Sequence, residues 1–120
     1  MINPITEEKR DQGETYAIER AEQFGKAEPG LGVDGAKYLA DLGVVAIGAD
    51  SWGLEVIPFE EGTGVFEVHQ TLLAKHGVYI LENMNTAELA ADGVHEFMFV
   101  LGQPKIKGSV QMIINPIAIR

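Results

Sequence analysis

The sequence predicts an α/β fold with a mostly parallel sheet, and two similar segments carry that prediction. Residues 38–47 align without gaps on residues 72–81, and each segment reads as a helix, a glycine and an apolar run. A glycine can take the left-handed conformation that ends a helix, and an unbroken apolar run is typical of a strand covered on both faces in a parallel sheet. Successive helix-to-strand units are joined by crossovers that make their strands parallel. We therefore expect two strands of one sheet.

The first unit is predicted to have Gly32 as its helix cap, a helix over 33–42, Gly43 as the helix end and a buried strand at 44–48. In the second unit a short helix ends at Gly77 and a strand follows at 78–81. Glu82 then lies at the carboxyl end of the strand, and His69 lies at the start of the helix. Ligands of open α/β sheets bind at the carboxyl ends of strands, so this edge is the expected site.

Beyond Glu82, residues 85–88 (NTAE) have the form of a capping box, which predicts a short helix over 89–91 that is broken at Gly93. Further strands are expected at 96–101 and 112–119. Pro116 removes one backbone donor from the last strand, which indicates an edge position or a bulge. These strands would join the others in a mixed sheet with flanking helices.

The chain is expected to have two parts, a polar N-terminal arm at 1–27 and an α/β domain at 28–120. Acidic and basic residues crowd the arm, which is poor in aliphatic side chains, and we expect it to be exposed with about two helical turns. The apolar side chains that would line one face of that helix are Tyr16, Ala17, Ala21 and Phe24.

Composition narrows the classes of partner. The formal charge of −9 and the pI near 4.6 argue against nucleic acid and anionic membrane surfaces as partners. The chain has no cysteine, which excludes disulfides and thiolate metal sites. It has neither an apolar run of about 20 residues nor a secretory signal at its polar start, so a soluble cytoplasmic protein is the expectation.

His69 and Glu82 are the candidates for chemistry, as metal ligands or as an acid and base pair. Imidazole nitrogen and carboxylate oxygen suit zinc or manganese, and a bound dication lowers the pKa of its water toward about 7. The structural alternative is a capped helix start and a carboxylate bound to backbone amides. Asp50 follows the first predicted strand and is either a third metal ligand or a cap for the loop around Trp52. A catalytic zinc usually takes three protein ligands, and no HxxxH or HxH pattern is present.

The other two histidines are not assigned to the site, and the sequence lacks the common nucleotide-binding and hydrolase motifs. His76 lies where a cation favours a helix end, and His95 is expected in a turn or on the surface. Trp52 is interpreted as a core or interface residue. The sequence has no GxGxxG, GxxxxGK or GxSxG motif, so neither a dinucleotide site nor a hydrolase elbow is indicated.

Residues 28–120 resemble the closing half of the putative cyclase family, which includes bacterial kynurenine formamidases and isatin hydrolases. The segments that carry the resemblance, in the family's order and with similar gaps, are EPGL at 28–31, GADSW at 48–52, VHQ at 68–70, HGVYILEN at 76–83, FMFV at 97–100 and PIAI at 116–119.

The resemblance implies the C-terminal part of a swivelling β/β/α fold. It also implies metal-dependent hydrolysis of a small-molecule amide, lactam or lactone through an activated water. His69 and Glu82 match the family's metal and catalytic positions, and zinc or manganese is its usual metal. If the protein is such an enzyme, we expect Asp50 to orient these two side chains without binding the metal itself.

The family's HxGTHxD run, which supplies its principal ligands, is not among these 120 residues. We therefore expect the remaining ligands to come from an N-terminal companion segment or from a second copy in a homo-oligomer. Whether the chain catalyses alone stays open at this point. The alternative is a non-catalytic remnant that serves as an oligomerisation or partner-binding module.

Overall fold

Two parallel strands and the helices packed on one of their faces form the first unit of this computed structural model, which describes residues 22, 23 and 25–120. The chain divides after Asn85 into this unit and a second one, Thr86–Arg120. The elements of the first unit are, in chain order, helix α1 (Val33–Asp41), strand β1 (Ala46–Gly48), helix α2 (Glu67–His69), a π-helix (Gln70–His76) and strand β2 (Tyr79–Leu81).

The parallel pairing predicted for the two similar segments is confirmed. β1 and β2 are hydrogen-bonded in parallel, with Ile47 beside Ile80 and Gly48 beside Leu81. The gapless alignment would have placed Gly48 opposite Glu82, so the observed register differs from it by one residue. The reason is local: β1 begins three residues after Gly43, whereas β2 begins two residues after its own glycine.

Both helix ends lie at the predicted glycines. Gly43 and Gly77 have φ values of 74° and 66°, in the left-handed region where a side chain would be strained. Gly32 caps α1 as expected. The helix before Gly77 differs from the prediction, because α2 is a single turn and then continues as seven residues of π-helix.

The core lies between these helices and one face of the strand pair. Its buried members are Ala36, Leu54, Val68, Leu72 and Val78. Ile47 and Ile80 pack against them from the strands. Full burial of a large aliphatic side chain stabilises a fold by about 1.5–3 kcal/mol, so the cluster fixes the helices on this face. The prediction that both faces of β2 are covered is wrong at Tyr79, which is 48% exposed, although Leu81, two residues further along the same face, is buried.

The second unit is a short helix and an antiparallel strand pair. Helix α3 (Ala87–Ala91) precedes strands β3 (Met98–Val100) and β4 (Ile117–Ile119). A helix is present here as predicted, but it begins two residues before the predicted 89–91. Its N-cap is Thr86 rather than Asn85 of the capping box, and the Thr86 side chain makes no capping hydrogen bond. Arg120 pairs with Asp92 at 2.5 Å.

Among the described residues, the strands therefore form two two-stranded sheets rather than the single mixed sheet that we expected. The difference arises because β4 pairs back on β3, while β1 and β2 pair with each other. At the coarse level the prediction of a mixed helix and strand fold is confirmed.

The predicted N-terminal arm lies almost entirely outside the described residues, and so does its apolar stripe of Tyr16, Ala17, Ala21 and Phe24. In the part of the chain that the structure describes, no helix has the length and apolar character needed to cross a bilayer.

Candidate functional site

The loop that follows β1 runs beside the chain that leaves β2, which brings the predicted site residues to one edge. The Ala49 amide donates to the Leu81 carbonyl at 2.9 Å, and the Asn83 amide donates to the Ser51 carbonyl at 2.8 Å. Asp50 and Glu82 therefore lie on neighbouring segments beyond the carboxyl ends of the two strands, as predicted. Asp50 is half-buried in this loop, and its role around the site stays a prediction.

His69 and Glu82 are brought together. The Nε2 atom of His69 lies 3.2 Å from Oε1 of Glu82, and both side chains are about one quarter exposed. The same carboxylate oxygen accepts the Leu54 amide at 3.0 Å. Glu82 thus combines the two alternatives left open by the sequence, because it faces the imidazole and also binds a backbone amide.

The start of α2 sets the position of His69. Phe66 has a left-handed backbone with φ of 54°, and α2 begins at the next residue. The Phe66 ring meets the imidazole edge to face, with 5.1 Å between ring centroids. His69 therefore lies in the first turn of a helix with an aromatic ring against it. Its Nδ1 atom faces Glu55 and its Nε2 atom faces Glu82.

Glu55 is the site residue that the sequence did not reveal. Its carboxylate is buried; Oε1 accepts the Val68 amide at 2.9 Å and Oε2 accepts the His69 amide at 3.2 Å. Oε2 also lies 2.5 Å from Nδ1 of His69. A signal was present, because Glu55 interrupts the apolar run of 54–57, and a carboxylate is rarely buried unless it is paired.

A second buried carboxylate, Glu28, holds the loop from the other side. It accepts the Trp52 amide at 3.0 Å and the Gly53 amide at 3.3 Å. Its own backbone exchanges hydrogen bonds with Ile57. The carboxylates of Glu28, Glu55 and Glu82 therefore fix the backbone of the 52–54 segment and of the first turn of α2. Of these three, Glu55 and Glu82 contact the imidazole.

The other residues considered in the sequence analysis are His76, His95 and Trp52. His76 is exposed in the last turn of the π-helix, where a cation was expected to favour the helix end. His95 is exposed in the second unit, between α3 and β3. Trp52 is half-buried beside Glu28.

The donor atoms at His69 and Glu82 suit zinc or manganese in kind and in spacing. Two ligand atoms held about 2.1 Å from a tetrahedral zinc lie roughly 3.4 Å apart, close to the observed 3.2 Å between Nε2 and Oε1. Within the described residues, however, no group of three or more His, Asp or Glu side chains is arranged to hold a metal ion. The pair therefore provides two donors of the three that a catalytic zinc usually takes.

Comparison with protein-family models, with curated proteins and with solved structures found no match to this chain. The resemblance to the cyclase family accordingly stays a prediction from the sequence segments given above.

Proposed function

We propose that this chain carries part of the metal centre of a cyclase-type hydrolase that acts on the carbonyl of a small amide, lactam or lactone. In this proposal the chain contributes His69 and Glu82 as ligands and has the C-terminal part of a swivelling β/β/α architecture. The other ligands come from a second copy or from a companion polypeptide.

The observation that carries the proposal is the approach of Nε2 of His69 to Oε1 of Glu82. Because the carboxylate of Glu55 can only accept a hydrogen bond, the hydrogen between it and the ring belongs to Nδ1. A neutral imidazole then presents a bare lone pair at Nε2. Two lone pairs facing each other at 3.2 Å are stabilised by a positive charge between them, which either a divalent cation or a second ring proton supplies, and the proposal takes the cation.

Each residue of the chain has a definite task at such a centre. When bound, the metal supplies Lewis acidity, which polarises a carbonyl and activates water near neutral pH. His69 and Glu82 hold it, and the amide of Leu54 keeps the Glu82 carboxylate in place. In the proposal, half-buried Asp50 orients the groups around them.

Metal content measured together with mass in solution tests the proposal. After reconstitution with zinc or manganese, we expect size-exclusion fractions of the chain to retain about one metal ion per chain. The ligands that one chain lacks would be supplied when chains associate. His69→Ala and Glu82→Gln should abolish retention. The Gln variant keeps an oxygen that can accept the Leu54 amide, so loss of metal would not reflect loss of the loop contact.

The matched controls are His76→Ala and Glu67→Gln, which remove an exposed histidine and a carboxylate paired with Lys75 on the same helical segment. Both should retain metal as the unchanged chain does. The proposal that His69 and Glu82 hold the ion would be wrong if no metal were retained after reconstitution, or if all four variants retained it equally.

A second candidate function, assembly of copies through the second unit, is favoured by the surface of that unit. None of residues 86–120 is buried, and the β3–β4 sheet exposes apolar side chains on both strands. At roughly 200 Å² for each large side chain, its half-exposed members leave on the order of 1,000 Å² of apolar surface in total, divided between the two faces of the strand pair and the loop that joins the strands. The members of this apolar surface are Phe97, Met98, Phe99, Val100, Ile106, Val110, Met112, Ile113, Ile117 and Ile119.

Charge favours a second copy of the chain as the partner of this apolar surface. Residues 86–120 carry three acidic and three basic side chains, so the whole formal charge of −9 belongs to residues 1–85. Contact through the acidic part would be opposed by like-charge repulsion, whereas contact through the neutral second unit is not.

We expect the chain to associate in a concentration-dependent manner, and we expect Ile113→Asp to shift it toward the monomer in sedimentation equilibrium. Ile113 is 98% exposed, so its replacement leaves the fold of one copy intact. Val45→Asp is the control, since Val45 is 74% exposed in the first unit and should not affect association. A monomer at every concentration, or equal dissociation by both variants, would rule out this surface.

A further inference from the structure

We infer that Glu55 is the positioning residue of this site, and that it sets both the tautomer and the direction of the His69 ring. The inference rests on the proposed function, since it concerns the imidazole that the proposal makes a ligand. Glu55 itself touches no substrate or metal in this arrangement, because it lies on the Nδ1 side of the ring, whereas Glu82 lies at Nε2.

Burial and contacts show how tightly Glu55 is constrained. The residue is 4% exposed, and its two oxygens accept three donors, the amides of Val68 and His69 and the Nδ1–H of His69. A buried carboxylate with three donors cannot rotate without losing charge-assisted hydrogen bonds, which are stronger than those between neutral groups. The acceptor that faces the ring is therefore fixed in space.

The backbone that carries the ring is fixed by the same carboxylate. The amides of Val68 and His69 belong to the first turn of α2, where backbone donors have no partner within the helix. By binding both, Glu55 holds the Cα of His69 as well as its ring. Glu55 thus fixes both the backbone position of His69 and the rotation of its ring, and this leaves Nε2 directed at Glu82.

Glu28 supplies the contrast that separates positioning from simple stabilisation. It is 5% exposed and also accepts two backbone amides, those of Trp52 and Gly53, but no histidine ring contacts it. Glu28→Gln and Glu55→Gln therefore make the same chemical change in two similar environments. Only the second change weakens the acceptor at Nδ1, because it removes the charge and leaves one oxygen and an NH2 group where the carboxylate had two oxygens.

Nitrogen-15 NMR of the ring nitrogens tests the inference without any metal present. In the full chain with labelled histidine, His69 is assigned among the three histidines as the signal missing from His69→Ala. We expect Nδ1 to be protonated and its hydrogen to exchange slowly with solvent. Glu28→Gln should keep this signature, and Glu55→Gln should lose it, with the hydrogen passing to Nε2 or exchanging rapidly.

Two results would overturn the inference: an unprotonated Nδ1 in the unchanged chain, or an unchanged His69 signature in Glu55→Gln. The first needs no variant, so the inference stays falsifiable if Glu55→Gln does not fold.

Zinc affinity then connects the inference to the proposed function. Removing an outer partner of a ligating histidine typically weakens metal binding by about 10–100-fold, and we expect that loss for Glu55→Gln and not for Glu28→Gln. If the chain binds no metal while the NMR signature behaves as expected, the proposed function fails and the positioning role stands. If the chain binds metal while Glu55→Gln leaves the NMR signature unchanged, the proposed function stands and the positioning role of Glu55 fails.

Discussion

Replacing Glu55 by alanine is expected to lower the free energy of unfolding by roughly 3–5 kcal/mol, because each buried donor left without its acceptor costs about 1–3 kcal/mol. The physical reason is that the amides of Val68 and His69 and the Nδ1–H of His69 lose their acceptor in a buried place. Urea denaturation followed by the fluorescence of Trp52, the single tryptophan, measures the change.

Glu61→Ala is the control for this prediction, because Glu61 is exposed in the loop before α2 and its loss should change the stability by no more than about 0.5 kcal/mol. A double-mutant cycle with His69→Ala isolates the contact between the two side chains. Residues in direct contact typically show a coupling energy of about 0.5–3 kcal/mol. A coupling of zero would mean that Glu55 acts only on the backbone amides.

Leu72→Ala is expected to have a loss of stability of similar size, about 2–5 kcal/mol, because it opens a cavity in a packed core. Leu72 is fully buried in the π-helix and belongs to the cluster formed with Ala36, Val68 and Val78. The same urea experiment measures the change, with the midpoint expected to fall and the slope to stay constant.

Leu73→Ala provides a control at the adjacent position. Leu73 is 47% exposed, so the same loss of three carbon atoms should cost about 1 kcal/mol or less. Equal losses at the two positions would contradict the observed rotation of the π-helix, in which Leu72 faces the core and Leu73 faces solvent.

The fold of the first unit could be predicted from sequence where the signals are local. Gly43 and Gly77 end their helices because glycine alone takes the left-handed conformation without strain. The parallel pairing followed from two helix-to-strand units in succession. The register depended on the number of residues between each glycine and its strand, which the alignment of similar segments did not contain.

The candidate site was only partly predictable for a different reason. His69 and Glu82 were found because each lies at the end of a predicted element. Glu55 and Glu28 act through contacts with segments 13 and 25 residues away, and no local pattern encodes those contacts. The π-helix was also missed, since residues 70–76 have the composition of an ordinary helix.

The three carboxylates around the loop also bear on how such a sequence can diverge. Glu28, Glu55 and Glu82 all bind main-chain amides, at positions 52, 53, 54, 68 and 69. Every amino acid except proline can supply a main-chain donor. The donor positions are therefore free to change their side chains as far as these bonds are concerned, while the acidic positions are not. Among natural variants of this chain, we expect the side chain at Trp52 to change without compensating changes at the three acids, and we expect proline to be missing from all five donor positions.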